Sequence, residues 1–348
     1  MKRSAFRTAD LAFVLVGLLL AACGDDADAP GRGFRMGFSP IPPKLDTALQ
    51  NQVLQLTTQH SDAGLVQLEI PWAVLLADTA AAREVRVVRL PLVQFYRATG
   101  RAVTVALDVT NGLNRQAEAP ELVAAGRSIA DTAVQRLYRE YVAAVDSILH
   151  PDYLSLAAET NLIRLAAPDS VYQAVVTMTN AAAAERTAHG STTKLLVSVQ
   201  VETAWGGLQG GTGFVGIAED LADFPFLRAL GLSSYPFLGG YATPEAIPLD
   251  YYSRLTDGTG LRPVVLEGGW PSEGFGSSPA MQARYIAREA EILTHARGTI
   301  LHQITFTDLD PNLAPNLGPF SSLGLVDTLL NPKPALAVWD SLLALPRH

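Results

Sequence analysis

Between Phe34 and Asp308 the chain repeats one pattern: a short, nearly continuous apolar run, then a longer stretch of helical character. Eight runs read as strands: "FRMGFS" (34–39), "LVQLEI" (65–70), "AVTVALDV" (102–109), "YLSLAAE" (153–159), "KLLVSVQVE" (194–202), "ALGLSSY" (229–235), "RPVVLEG" (262–268) and "ILHQITFTD" (300–308). Helices are expected over 46–60, 85–99, 119–149, 168–189, 279–297 and 333–345. Strands that alternate with helices pair in parallel, and runs that are apolar throughout belong to a sheet covered on both faces. Eight such units predict an α/β chain folded as a (β/α)8 barrel, one domain over 34–348. The competing architecture is an open doubly wound sheet. Neither G-x-G-x-x-G after the first strand nor G-x-x-x-x-G-K-[ST] occurs.

With 348 residues, 48% of them hydrophobic, the chain has material for a large core. Its formal charge of −8 lacks the basic footprint of a nucleic-acid binder, so no nucleic-acid partner is expected. The six histidines show no H-E-x-x-H or other compact ligand spacing, so neither a metal nor a cofactor is expected. No G-x-S-x-G elbow points to a serine hydrolase.

The first 22 residues read as a targeting segment rather than as part of the fold. "MKRSAFRTAD" is basic, and "LAFVLVGLLLAA" is an apolar run too short for a membrane-spanning helix. The only cysteine, Cys23, follows directly in "LLLAACGDD", which resembles a bacterial lipoprotein lipobox. That resemblance implies cleavage before Cys23, a lipid on its sulfur and a membrane as partner. Gly24 behind it favours the outer membrane of a bacterial cell envelope. A plain signal peptide with an incidental cysteine is the other reading. Residues 23–33 have no apolar periodicity and read as a tether.

In a barrel the site lies at the C-terminal ends of the strands, which reduces the acidic residues to a short set. Glu69, Asp108, Glu159, Glu202, Glu267 and Asp308 stand at or near the ends of runs two, three, four, five, seven and eight. The fourth run ends by presenting Glu159 and Asn161, and the seventh, "RPVVLEGGWPS", presents Glu267. The fourth and seventh strands face each other across a barrel mouth, so their side chains converge there. Two carboxyls that converge can hydrolyse a glycosidic bond, one delivering a proton and the other trapping the oxocarbenium-like carbon.

These stretches, with "ALGLSSYPFLGGY" and the closing "SLGLVDTLLNPKPALAVW", resemble the clan of retaining (β/α)8 glycoside hydrolases. The sixth run is similar to that of the family 53 galactanases. The resemblance covers about Phe34 to Trp339. It implies Glu159 as general acid/base, Glu267 as nucleophile and Tyr235 as a hydrogen-bond partner of the nucleophile. It also implies a carbohydrate substrate, with β-galactan or arabinogalactan as the named expectation. Two departures stand out: Ala158 occupies the position of the clan's asparagine, and the eighth run offers Phe306 and Asp308 where a tryptophan is usual. Asn161 is the candidate to replace that asparagine in binding sugar. Trp72, Trp205 and Trp270 follow strand ends and are candidate stacking platforms, with loop packing as the other reading. Glu202 and Asp108, with Asn111 beside it, are further candidates for substrate contact. His302, inside the eighth run, reads as structural. Ala158 also keeps open a second class, a carbohydrate-binding lipoprotein on the same barrel without catalysis.

Overall fold

A computed structural model describes residues 31–208, 213–313 and 316–348; Cys23 and the targeting segment lie outside them. The barrel strands are β1 (Arg35–Phe38), β2 (Ala63–Glu69), β3 (Ala102–Asp108), β4 (Tyr153–Ser155), β5 (Lys194–Leu196 and Ser198–Gln200), β6 (Leu230–Ser234), β7 (Pro263–Gly268) and β8 (Ile300–Gln303). Every pairing among them is parallel. The first half of β5 pairs with β4 and the second half with β6. The two halves meet at Val197, so the sheet closes through this one strand and the chain forms the expected (β/α)8 barrel.

The flanking helices begin where local chemistry starts them. Asp46 accepts from Leu49 N at 2.8 Å and caps α1 (Thr47–Gln59). The region expected as one helix over 119–149 is broken; its main piece is α2 (Thr132–Ala144), after a short turn of helix at Pro120–Ala124. Next come α3 (Thr160–Ala166) and α4 (Asp169–Ala188). Ser278 caps α5 (Pro279–His295), whose first residue is a proline, and α6 (Pro334–Leu343) closes the chain.

Three details of the sheet position the site. β2 and β3 pair over seven residues, from Ala63 opposite Ala102 to Glu69 opposite Asp108, which sets those two carboxylates level at the rim. Alternation along β2 sends Gly64 outward: a Cβ there would stand 2.7 Å from the Tyr96 ring. Gln67 and Glu69, odd-numbered like Leu65, therefore face the interior. In β7 the register slips between Val265 and Glu267, and the irregularity places Glu267 opposite Ser233 of β6.

Candidate active site

The fourth strand ends earlier than its sequence suggests. β4 stops at Ser155, and residues 156–158 bend, although Leu156 N still donates to Leu196 O at 2.8 Å and Ala157 O accepts from Ser198 N at 3.0 Å. Side chains take over beyond that point: the Tyr138 hydroxyl donates to Leu156 O at 2.7 Å, and Glu159 N donates to Ser198 Oγ at 2.9 Å. Glu159 itself takes the left-handed conformation (φ 50°, ψ 48°), which turns the chain directly into α3.

Glu159 and Glu267 line one cavity of 320 Å3 at the C-terminal mouth. Ser233 Oγ stands between them, 2.7 Å from Glu159 Oε1 and 3.5 Å from Glu267 Oε2. Their nearest oxygens are therefore no more than about 6.2 Å apart, short of the roughly 6.5–9.5 Å of inverting pairs. Gln67 reaches across the barrel to donate to Glu267 Oε1 at 3.1 Å, and the Tyr235 hydroxyl lies 3.4 Å from Glu267 Oε2. Apolar side chains of Leu309, Leu317 and Phe320 complete the wall.

A buried guanidinium organises the acidic side. Arg115 sits on the hairpin that follows β3, formed by Thr110–Asn111 and Asn114–Glu118. Its Nε donates to Glu159 Oε2 at 2.8 Å, and one terminal nitrogen donates to both Asp108 oxygens at 2.6 Å. A Cβ at Gly112 in the hairpin would stand 3.1 Å from Asp108 Oδ2, so a side chain there would press on that carboxylate. Burial and the neighbouring Glu159 charge push Glu267 up to about 7, against the pull of Arg115. Burial, then Asp108, also raises Glu69 at the rim. Burial thus favours a proton on Glu267, while Glu159 faces Arg115 in an ion pair.

The other expected residues distribute as follows. Tyr235 and Asp108 line the cavity with the two glutamates. Asn161 does not: its amide donates to Gln200 O at 2.9 Å and accepts from Gln200 N at 2.8 Å, spending both ends on the backbone of β5. Glu202 is fully buried under a neighbouring pocket, held by Gln200, Ser234 and Tyr251, and burial pushes it up to about 7. Trp205 lines that same neighbouring pocket, stacked on Tyr251 with ring centroids 5.1 Å apart. Trp72 and Trp270 are core residues, 1% and 2% exposed, and offer no platform. Asp308 pairs with Lys333 at 2.5 Å, and Phe306 packs against Phe38 in the core. His302 Nδ1 lies 2.8 Å from Val265 O, and burial drives its pKa down to about 4, as befits a neutral structural histidine. Arg262 lies at the other end of the strand from Glu267 and donates to Arg297 O.

Sequence reasoning missed Arg115, Gln67 and Ser233. Gln67 carried a readable signal, a polar residue inside an apolar strand, two positions before Glu69 on the same face. Ser233 sits in the small polar pair of "GLSSY".

No family model and no curated protein matches the chain. Solved structures do share its fold. A GH5_18 variant from Streptomyces cattleya in complex with Manβ1-4GlcNAc matches at 15% identity, with a TM-score of 0.65, over 92% of this chain and 83% of its own. A family 39 glycoside hydrolase from Bacteroides cellulosilyticus WH2 matches at 16% identity and a TM-score of 0.61, over 90% of this chain and 64% of its own. An exo-β-1,4-mannosidase from Opitutaceae bacterium strain TAV5 matches at 14% identity and a TM-score of 0.61. That match covers 90% of this chain, which spans only 59% of the mannosidase. At such identities the likeness is one of fold. None of the three is a galactanase, so the likeness to the family 53 galactanases gains no support from them.

Proposed function

We propose that the chain is a retaining glycoside hydrolase with Glu159 and Glu267 as its reacting pair. The observation that carries this reading is the meeting of two carboxylates from β4 and β7 in one cavity, both within reach of the Ser233 hydroxyl. In the first step the protonated carboxyl gives its proton to the glycosidic oxygen as that bond breaks, and the ionised one bonds to the anomeric carbon. In the second step the first carboxylate takes a proton from water, whose oxygen displaces the ester and frees the sugar. Two inversions give net retention.

The family resemblance and the Tyr235–Glu267 contact favour Glu267 as nucleophile and Glu159 as acid/base. The ion pair of Arg115 with Glu159 favours the reverse, because the proton at rest is drawn to Glu267. Azide decides between them. With an activated aryl β-glycoside, Glu267→Ala plus azide gives a glycosyl azide of inverted configuration if Glu267 is the nucleophile, and Glu159→Ala gives one of retained configuration. Exchanged stereochemistry reverses the roles. If the unmodified chain turns over no β-glycoside, the reading fails and the carbohydrate-binding alternative takes its place.

β-Mannosides are the first substrates to try. An exo-β-1,4-mannosidase and a protein in complex with Manβ1-4GlcNAc share the fold, whereas β-galactan and arabinogalactan gain no support from these neighbours.

A further inference from the structure

The acidic mouth has a basic counterpart at the opposite end of the barrel. Six of the eight strands are entered through a cation: Arg35 begins β1, Lys194 begins β5, and Arg101, Arg228, Arg262 and Arg297 precede β3, β6, β7 and β8. None of these six makes an ion pair among the described residues. Arg35 donates to Asp62 O, and Arg262 to Arg297 O and Gly298 O, carbonyls that bear no net charge. Lys194 meets the Tyr153 hydroxyl at 3.1 Å and stands 4.8 Å over its ring.

The acids at this end are fewer than the cations: Asp62 also acts on Arg101, and Asp152 lines the cavity with Arg35, Lys194 and Arg262. Asp62 is held by Arg32 at 2.8 Å and by Met36 N, and Asp152 accepts from Val103 N. A cavity of 540 Å3 opens on this face among Arg35, Lys194 and Arg262. In a chain of net charge −8, this end gathers more cations than acids.

The chain also enters the barrel here. Gly31 to Phe34 lead straight into β1, and Arg32 N bonds Pro346 O at 2.9 Å. Gly31, the first described residue, therefore stands at the basic end.

We propose that this N-terminal face docks on the anionic lipid headgroups of a membrane. Each basic side chain near such a surface adds to the attraction, which acts within a Debye length and weakens with salt. Docking in this pose turns the cavity of Glu159 and Glu267 away from the lipid, toward glycans in solution. The expected lipid on Cys23 would bring the face to the membrane; the headgroup contacts would set its orientation.

Two lysines on opposite faces make the test direct. Lys194 lies on the basic end, whereas Lys44 is exposed in the loop after β1, on the side of the mouth. The mature full chain is mixed with vesicles of phosphatidylcholine alone, or with phosphatidylglycerol added, and acetylated with a water-soluble reagent. Phosphatidylglycerol is expected to slow acetylation of Lys194 by about tenfold at low salt, with the protection lost at high salt. Lys44 should react equally in both. The double variant Arg35→Glu/Arg262→Glu, checked for an unchanged circular dichroism spectrum, should lose the protection. Equal rates at Lys194 in both vesicle types, or equal protection of both lysines, would overturn the proposal. The mass of the mature chain reports separately whether Cys23 carries lipid, and a chain without lipid is still expected to show the Lys194 protection.

Discussion

Arg115 is the residue on which the charge balance of the mouth turns. It is buried, yet it faces Asp108 and Glu159 directly, with Glu267 close enough to add to the field. Removing one member of a buried ion network leaves the others without a counter-charge, typically at a cost of about 3–5 kcal/mol. Arg115→Gln is therefore expected to lower the urea midpoint strongly. A second effect is specific to chemistry. The reacting pair works with one proton, and Glu267 is pushed up to about 7, so kcat/KM should fall as pH rises through about 7, an apparent value that belongs to the pair. Arg115 lowers Glu267, so its removal should move that falling limb to higher pH. A limb that stays in place in Arg115→Gln would show that the guanidinium holds structure only. Glu159 and Glu267 were legible in the sequence because each ends an apolar strand and barrel topology brings those ends together. Arg115 was not, because its hairpin has no apolar periodicity and its partners lie 7 and 44 residues away.

At the scale of elements, the join between β4 and α3 shows where periodicity stops informing. "YLSLAAE" is apolar to its end, and the sequence extends the strand to Glu159, yet the strand stops at Ser155. What ends it is tertiary: Tyr138 takes one carbonyl, Ser198 takes one amide, and the two edges of Asn161 replace a strand neighbour for Gln200. The eight strands themselves were legible, since their burial on both faces demands continuous apolar runs. The fate of the tryptophans was not, because an aromatic after a strand end has the same local sequence whether it floors a cavity or fills the core. Asn161 tests this reading of the join. Asn161→Ala takes the side-chain partner from the buried N–H of Gln200, at a cost of about 1–3 kcal/mol, and one acceptor bond from its C=O, which still serves the first turn of the helix Val201–Ala204. A clear fall in melting temperature is expected, with KM for any glycoside substrate unchanged. A large rise in KM with little loss of stability would return Asn161 to the role of a sugar ligand.

At the scale of the whole molecule, three buried glutamates couple stability to pH. Glu202, Glu267 and Glu289 are all pushed up to about 7, in each case chiefly by burial. Glu289 lies in α5, far in role from the cavity. Its Oε1 accepts from Tyr252 at 3.0 Å, and Tyr252 and Tyr285 together oppose the upward push of burial. A carboxyl whose folded value exceeds its unfolded value keeps a proton that the unfolded chain releases. Its stabilising contribution is complete below about 4.5, declines as pH rises and is spent above about 7, reversing the usual behaviour of a salt-bridged acid. A shift of this size corresponds to at most about 3 kcal/mol per group. Other titrating groups overlie that slope, so the difference between unmodified chain and variant isolates Glu289. Glu289→Gln keeps the shape and an acceptor for Tyr252 but has no proton to lose. In urea melts at pH 5, 6, 7 and 8 the variant should gain steadily on the unmodified chain as pH rises, by up to that amount. Parallel curves across the range would mean that Glu289 ionises in the fold as readily as in the unfolded chain, and that burial does not hold its proton.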